Sequence, residues 1–350
     1  MKVAIYGLPQ SGKTTLYKYL ASIPLKDERL PKQVALNVND ERLQILAREF
    51  ESEKIVTVEF MLFEPYGDIT SDGRSFEPIR PSDALIWQIR GYDGGYGKPN
   101  PIEDFQMLKE IAIEKDLQVL NKRLETINSS IRKISGDDKK KIEKEKAAIE
   151  KIIAHLNDGK SVRILELKDA ELAVARNYGL ITAKPVLVNV SCDDDIYAKR
   201  EELVAEFEKI NQDESLRINY ICTMPSYDME LDELDEEEAL MFREDAGLET
   251  GIQQIMIFRI FESAEQDVYL TAGPKESRAW LIKKGATAVE AAGVIHSDIA
   301  QGFIRAEVLG WEDFIEHGSH KEARAKGRLR LEGKEYIVKD GDIMLFRFNV

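Results

Sequence analysis

Eight residues near the start of the chain, Gly7-Leu8-Pro9-Gln10-Ser11-Gly12-Lys13-Thr14, fit the spacing G-x-x-x-x-G-K-[ST] in full. That spacing suits one chemistry, the holding of a nucleoside triphosphate. Such a loop wraps its backbone N–H groups around a β-phosphate, and glycine lets the chain come close with no Cβ in the way. A helix opening near Gly12 aims its N-terminal N–H groups and positive dipole end at the same oxygens. Lys13 brings positive charge to the β and γ oxygens and is the catalytic candidate, while the Thr14 hydroxyl is placed to ligate Mg2+. The expected nucleotide-binding set is therefore Gly7, Pro9, Gln10, Ser11, Gly12, Lys13, Thr14 and Thr15, with Mg2+ arriving together with ATP or GTP.

These residues need a strand before them and a helix after them. KVAIYG (2–7) reads as a short buried strand, and residues 14–21 as a helix with Leu16, Tyr19 and Leu20 on one face. KIVTVEFMLF (54–63) and DALIWQIR (83–90) read as further strands, so strands alternate with helices as in a parallel βαβ sheet. From Asp104 the period changes. Leu117, Leu120, Leu124, Ile127, Ile131 and Ile134 form a heptad seam, Ser135-Gly136-Asp137-Asp138 breaks it, and Ile142, Ile149, Ile153 and Leu156 resume it. Two such helices joined by a polar turn make an antiparallel hairpin. Its run KKKIEKEK balances lysine with glutamate and reads as a solvated face rather than a nucleic-acid arm. KPVLVNVS (184–191) returns to strand, followed by a helix, the strand LRINYICTMP and a helix around 250–262. From Asp267 a separate unit of short strands begins, YLTAG, RAWLIKKG, IRAEVLG, GRLRLEG, KEYIVKDGD and MLFRFNV, with the helix ATAVEAAGVIH among them.

A chain of 350 residues is long enough for two or three domains. No run approaches the roughly 20 apolar residues of a membrane span, and MKVAIYGLP is too short and too quickly followed by a Gly-rich loop to be a signal segment. Cys192 and Cys222 form no disulfide framework and read as inert core residues. The expected compartment is the cytoplasm, with no membrane partner; nothing specifies an oligomeric state. The net charge of −15 excludes a protein that coats nucleic acid with its whole surface. Residues 191–250 hold 20 Asp and Glu against 5 Lys and Arg, and MELDELDEEEAL within them reads as a solvated helix. One stretch is basic: Lys321, Arg324, Lys326, Arg328 and Arg330, on a turn-and-strand pattern, are candidates for RNA phosphate contact.

On these motifs the chain resembles the YchF family, the Obg-like ATPases of the translation-factor GTPase class. GLPQSGKTTL is similar to the family's GLPNVGKSTL, and VNDERLQILA, RPSDALIWQIRGY, EDFQMLKEIAIEKDLQVLNKRL and ITAKPVL look like family segments. TAGPKESRAWLIKKGATAVEAAGVIHSDIAQGFIRAEV and GRLRLEGKEYIVKDGDIMLFRFNV resemble the family's TGS domain most closely. The resemblance implies an α/β fold: a P-loop G domain with a mostly parallel sheet over 1–103 and 176–266, an inserted antiparallel α-helical coiled-coil hairpin over 104–175, and a C-terminal β-grasp TGS domain over 267–350. It implies ATP or GTP hydrolysis and association with ribosomes or RNA through the TGS domain. His296 falls in that domain and is expected to make structural hydrogen bonds.

The chain departs from the family where a GTPase senses the γ-phosphate. The family's I-E-F-V-D-I-A-G resembles residues 58–65 here, with Leu62 at the aspartate position and Pro65, which has no N–H, at the glycine position. Asp68 and Asp72 lie nearby, and IPLKDERLPKQVALNVND holds no switch I threonine. The base-recognition motif reads either as Asn189-Val190-Ser191-Cys192, which adds Asn189 to the expected nucleotide-binding residues, or, counted from Lys184-Pro185, as Ser191-Cys192-Asp193-Asp194. Neither register has the lysine of N-K-x-D, which points away from guanine and toward ATP. Two readings stand: a slow YchF-like ATPase, and a non-hydrolysing relative that docks through its TGS domain and coiled coil. A small-molecule P-loop kinase is disfavoured by the partner-binding tail.

Overall fold

The structure is a computed structural model describing residues 1–349 apart from 28, 64–75, 77, 96, 132–134, 215–217 and 249–250. It divides into two compact units, Met1–Leu36 with Met61–Ala264, and Asn37–Phe60 with Glu265–Val350.

The first unit is built on a six-stranded sheet. Its strands are β1 (Lys2–Gly7), β2 (Gln33–Val38), β4 (Val58–Phe63), β5 (Ala84–Gly91), β6 (Val186–Cys192) and β7 (Asn219–Thr223), in the order β2-β4-β1-β5-β6-β7. β1 pairs in parallel with β4 and β5, β5 with β6, and β6 with β7. The central strands are buried along nearly their whole length, which is why they read as continuous apolar runs. One face packs Tyr6, Trp87 and Val188 against Phe105, Leu108 and Phe207, each large side chain contributing about 1.5–3 kcal/mol relative to exposure. Helix α1 (Lys13–Leu20) and helix Ile252–Ser263 pack against strands of the same sheet.

The helical insertion comprises α3 (Pro101–Ser130) and α4 (Gly136–Asn157), in a chain where α2 is Glu41–Glu49. Asn100 caps α3 by accepting from the Glu103 N–H, and Pro101 occupies the first turn, where its missing N–H costs nothing. Leu120 and Ile127 of α3 and Ile149, Ile152 and Leu156 of α4 share one core. The expected break at 135–138 ends earlier than the sequence suggests, and Ile134 of the seam lies outside the described residues. Gly136 already begins α4, and Asp137 and Asp138 stabilise its first turn, where negative charge meets the helix dipole. Arg123 and Glu145 bridge the hairpin through two hydrogen bonds of 2.9 Å, and α5 (Asp169–Asn177) follows.

The second unit holds a sheet of order β11-β10-β12-β8-β9-β3, where β3 is Ile55–Val56, β8 Gln266–Thr271, β9 Ser277–Lys283, β10 Phe303–Leu309, β11 Arg330–Glu332 and β12 Ile343–Phe348. The run 54–63 therefore does not form one strand. Its first half, β3, pairs in parallel with β9, and Ser52 reinforces that junction through the Gly273 carbonyl and the Ser277 hydroxyl, each at 2.8 Å. KEYIVKDGD is likewise not a strand: it contributes a single bridge, Ile337 to Thr287, because Asp342 draws it into a turn by accepting from the Lys339 N–H and the Tyr336 hydroxyl.

Candidate nucleotide-binding site

The loop between β1 and α1 has the geometry its glycines require. A Cβ on Gly7 would lie 2.5 Å from the Gln88 carbonyl oxygen and 2.6 Å from Ser11 Oγ. Gly12 caps α1 at φ 87°, the left-handed region that a side chain disfavours. Gln10 adopts φ 62°, and the Tyr92 hydroxyl holds it by donating to its carbonyl at 2.8 Å. Pro9 and Gln10 are exposed, and Ser11 is buried. Lys13 reaches back along the loop and donates to the carbonyls of Gly7 and Leu8 at 3.2 and 2.7 Å. Thr14 is exposed on the first turn of α1. The loop residues of the expected set thus come together at one helix N-terminus, where the dipole favours anions.

Beside the loop lies a cavity of about 300 Å3 whose wall includes Gly12, Thr15, Tyr92, Ser191, Asp194 and Tyr227. That volume matches the lower end of small-ligand pockets. Cys192 and Asp193 complete the edge contributed by β6, so the segment Ser191–Asp194 faces the cavity. Asp193 spends its carboxylate on capping the next short helix, accepting from the Ile196 N–H at 3.1 Å, and Asp194 stays exposed. The Cys192 thiol is pushed well above its ordinary range, first by its hydrogen bond with Cys222 and then by burial. It therefore stands on the wall as a neutral thiol, and both cysteines are free.

Asn189, expected to bind nucleotide, is fully buried and is not part of that wall. It donates to Gln88 Oε1 at 2.8 Å and accepts from the Thr223 hydroxyl at 2.9 Å, so it ties β5, β6 and β7 together. Gln88, which the sequence reading passed over, is the centre of this network. Its Nε2 donates to the Ser11 carbonyl at 2.9 Å and to Ser191 Oγ at 2.7 Å. The signal was present: a glutamine inside the apolar strand ALIWQIRG has to find buried partners.

Helix Pro225–Leu231 closes the far side, with Pro225, Ser226 and Tyr227 on the cavity. Asp228 on this helix accepts from Tyr19 of α1 at 2.5 Å and from Arg243 at 2.8 Å. Burial, and then this hydrogen bond, raise the Tyr19 phenol far above its ordinary value, so it serves as a fixed donor.

At the D-x-x-G aspartate position, Leu62 is fully buried in β4, paired with Val3, and offers no oxygen to a metal. Pro65, Asp68 and Asp72 lie outside the described residues. Among the described residues no group of three His, Cys, Asp or Glu gathers as a metal site. Thr14, exposed on the first turn of α1, carries the hydroxyl that the sequence motif assigns to Mg2+.

In the second unit the basic residues divide. Lys321 and Arg324 ride on helix His320–Ala325 rather than on the expected turn and strand, and Lys326 follows it, exposed. Arg328 approaches Asp313 at 3.6 Å. Arg330 is structural: it hydrogen-bonds the Tyr336 hydroxyl at 3.1 Å and approaches Glu332 and Asp342 at 3.5 and 3.6 Å. His296 caps a short helix, its Nδ1 accepting from the Asp298 N–H at 3.1 Å. No helix among the described residues is long and apolar enough to cross a membrane.

Comparison with known proteins places relatives beside this geometry. Residues 267–349 match the family model YchF-GTPase_C, described as a protein of unknown function (DUF933). The chain is 32% identical to the "Ribosome-binding ATPase YchF" of Haemophilus influenzae, covering 100% of this chain and 99% of that protein. It is 30% identical to the protein of the same name from Bacillus subtilis, with 100% of both covered, and 29% identical to "Obg-like ATPase 1" of Oryza sativa subsp. japonica, covering 100% and 92%. The solved structure of the Schizosaccharomyces pombe YchF GTPase shares its fold, with TM-score 0.80, 24% identity, and 99% and 97% of the two chains covered.

Proposed function

This chain belongs to the YchF family, and on that premise we propose that it is a cytoplasmic, nucleoside-triphosphate-binding protein, a slow ATPase that regulates through ribosome or RNA association. The observation that carries the reading is the phosphate loop opening beside the cavity edged by Ser191–Asp194. The phosphates would lie against the loop and the N-terminus of α1, and Lys13 would turn from the loop carbonyls to the β and γ oxygens. Mg2+, held by the Thr14 hydroxyl and phosphate oxygens, would supply charge neutralisation. The base would occupy the cavity, with Ser191–Asp194 as the recognition segment. No lysine of the N-K-x-D kind stands in it, which favours ATP over GTP. The bacterial relatives are named for ribosome binding, and the C-terminal unit, read as a TGS domain over 267–350, is its proposed vehicle here.

Leu62 favours the second reading, a relative that binds nucleotide and does not hydrolyse it, since the switch carboxylate has no counterpart there. One assay separates the two: ATP and GTP affinity and Mg2+-dependent turnover, in the wild type and in Lys13→Ala. Turnover that disappears in Lys13→Ala supports the ATPase. Tight binding with no Lys13-dependent turnover leaves the binding protein, and absence of binding refutes both.

A further inference from the structure

We propose that Cys192, Cys222 and Met224 form a binding site for a soft monovalent metal ion of the Cu(I) type, at the carboxyl ends of β6 and β7. The two strands run in parallel, with Val190 level with Cys222 and Ser191 level with Thr223. One residue further on, Cys192 stands level with Met224. Side chains alternate between the two faces of a sheet, so Cys192, Cys222 and Met224 all fall on the face that carries Val190. All three are buried, 8%, 7% and 6% exposed, in the one core cluster on that face.

A hydrogen bond joins the sulfurs of Cys192 and Cys222, and Cys192 and Met224 both line the cavity beside the phosphate loop. Two thiols within reach of each other, with a thioether level with one of them, make an all-sulfur donor set. Thiolate and thioether ligands select Cu(I), whereas Mg2+ and Ca2+ require oxygen. Structural Zn2+ takes four ligands from cysteine, histidine and carboxylate. Among the described residues no three His, Cys, Asp or Glu gather to begin such a set. The cavity supplies the path by which an ion reaches the sulfurs.

Core packing accounts for any one of these residues taken singly. It does not account for both cysteines of a 350-residue chain meeting a methionine at one strand end, with two of the three sulfur side chains on a cavity wall. Binding forms two S–Cu bonds in place of two S–H bonds, releases two protons to solvent and transfers no electron. Met224 adds a neutral donor. The complex then carries one negative charge, and Arg200 acts electrostatically on Cys222 in the sense that favours it. Nothing in this site requires the cavity to accept a nucleotide.

The test titrates the full chain with Cu(I) under nitrogen, against a chromogenic Cu(I) chelator, while thiolate-to-copper absorption is followed in the ultraviolet. One ion should bind per chain, and any thiolate signal reports Cys192 and Cys222, because the sequence holds no other cysteine. X-ray absorption of the complex should show sulfur alone around copper. Cys192→Ser and Cys222→Ser should each weaken binding by at least about a hundredfold, the upper end of what is lost with a group that merely orients a ligand. Met224→Leu, which nearly keeps the core volume, should weaken it about tenfold and keeps the test decisive if a serine variant fails to fold. Affinity unchanged by Met224→Leu, or by either serine substitution in folded protein, overturns the proposal. So does nitrogen or oxygen in the copper shell, or copper that binds only by bridging two chains.

Discussion

The side-chain amide of Gln88 donates to the carbonyl oxygen of Ser11 at 2.9 Å, from a fully buried position in the strand beside the phosphate loop. The same nitrogen donates to Ser191 Oγ on the cavity wall. One side chain therefore sets the loop and the proposed base segment relative to each other. Replacing it with leucine leaves the Ser11 carbonyl and the Asn189 amide each short of a partner inside the sheet. Gln88→Leu is expected to cost about 1–3 kcal/mol of stability, read as a lower urea midpoint at unchanged slope. Nucleotide affinity should fall with it.

Gly7 and Gly12 are required for different reasons, and substitution should separate them. A Cβ at Gly7 meets backbone of the neighbouring strand, the Gln88 carbonyl oxygen at 2.5 Å. At Gly12 the nearest atom is the Tyr92 hydroxyl at 3.3 Å, so the penalty is mainly the positive φ, about 1–2 kcal/mol. Thermal melts should rank Gly7→Ala below Gly12→Ala. The reverse order would mean that the strand gives way more easily than the loop.

The helical insertion should show its own acid sensitivity. Glu145 accepts both Arg123 hydrogen bonds and that of the Tyr178 hydroxyl. Its carboxyl is held below 4.5, foremost by Arg123, against the opposing effect of burial and with help from Tyr178. A depressed folded pKa means the stabilisation is present above 4.5 and is lost as pH falls through the lower folded value. Glu145→Gln should lose about 1 kcal/mol or less at neutral pH, because the pair is only partly buried and solvent screens it. Its melting temperature should also decline less than the wild type's on acidification, as followed by circular dichroism.

The basic stretch should separate into two groups under mutation. Lys321, Arg324 and Lys326 are exposed, so their replacement by alanine should leave the melting temperature within a degree or two. It should also flatten the salt dependence of RNA binding, by about one unit of slope for each phosphate no longer neutralised. Arg330→Ala should instead lower stability, because it removes a stack on Tyr336 and the ion pairs with Glu332 and Asp342. Equal loss of RNA binding across all four variants at unchanged stability would contradict this division.

Much of the first unit was legible because it is locally encoded. The phosphate loop announces itself through glycines whose backbone demands are met within eight residues, and α3 and α4 through a heptad seam that buries Leu120, Ile127, Ile149 and Leu156 as expected. Other features were not legible. Ile55 and Val56 continue an apolar run into β4, and only the availability of β9 draws them into the other sheet. The motif letters put Asn189 in the nucleotide site, but strand register turned its amide to Gln88 and Thr223. Arg330 reads as one more surface cation until Asp342 and Tyr336 arrive beside it.

The sequence by itself determined that a triphosphate loop stands at the start of this chain, that a helical hairpin interrupts its sheet, and that an acidic segment accounts for the net negative charge. In that segment it is the net charge, 20 acidic against 5 basic residues, that is concentrated. These features follow from spacing, period and composition, which act over a turn or two of backbone. Only the tertiary structure decided that Gln88 anchors the loop, that Ser191–Asp194 rather than Asn189 edges the cavity, and that Leu240 and Met241 stay in solvent. Those outcomes depend on which strands become neighbours and which helix face finds a partner. Burial and hydrogen-bond satisfaction between residues far apart in the chain choose among arrangements that local pattern leaves equally open.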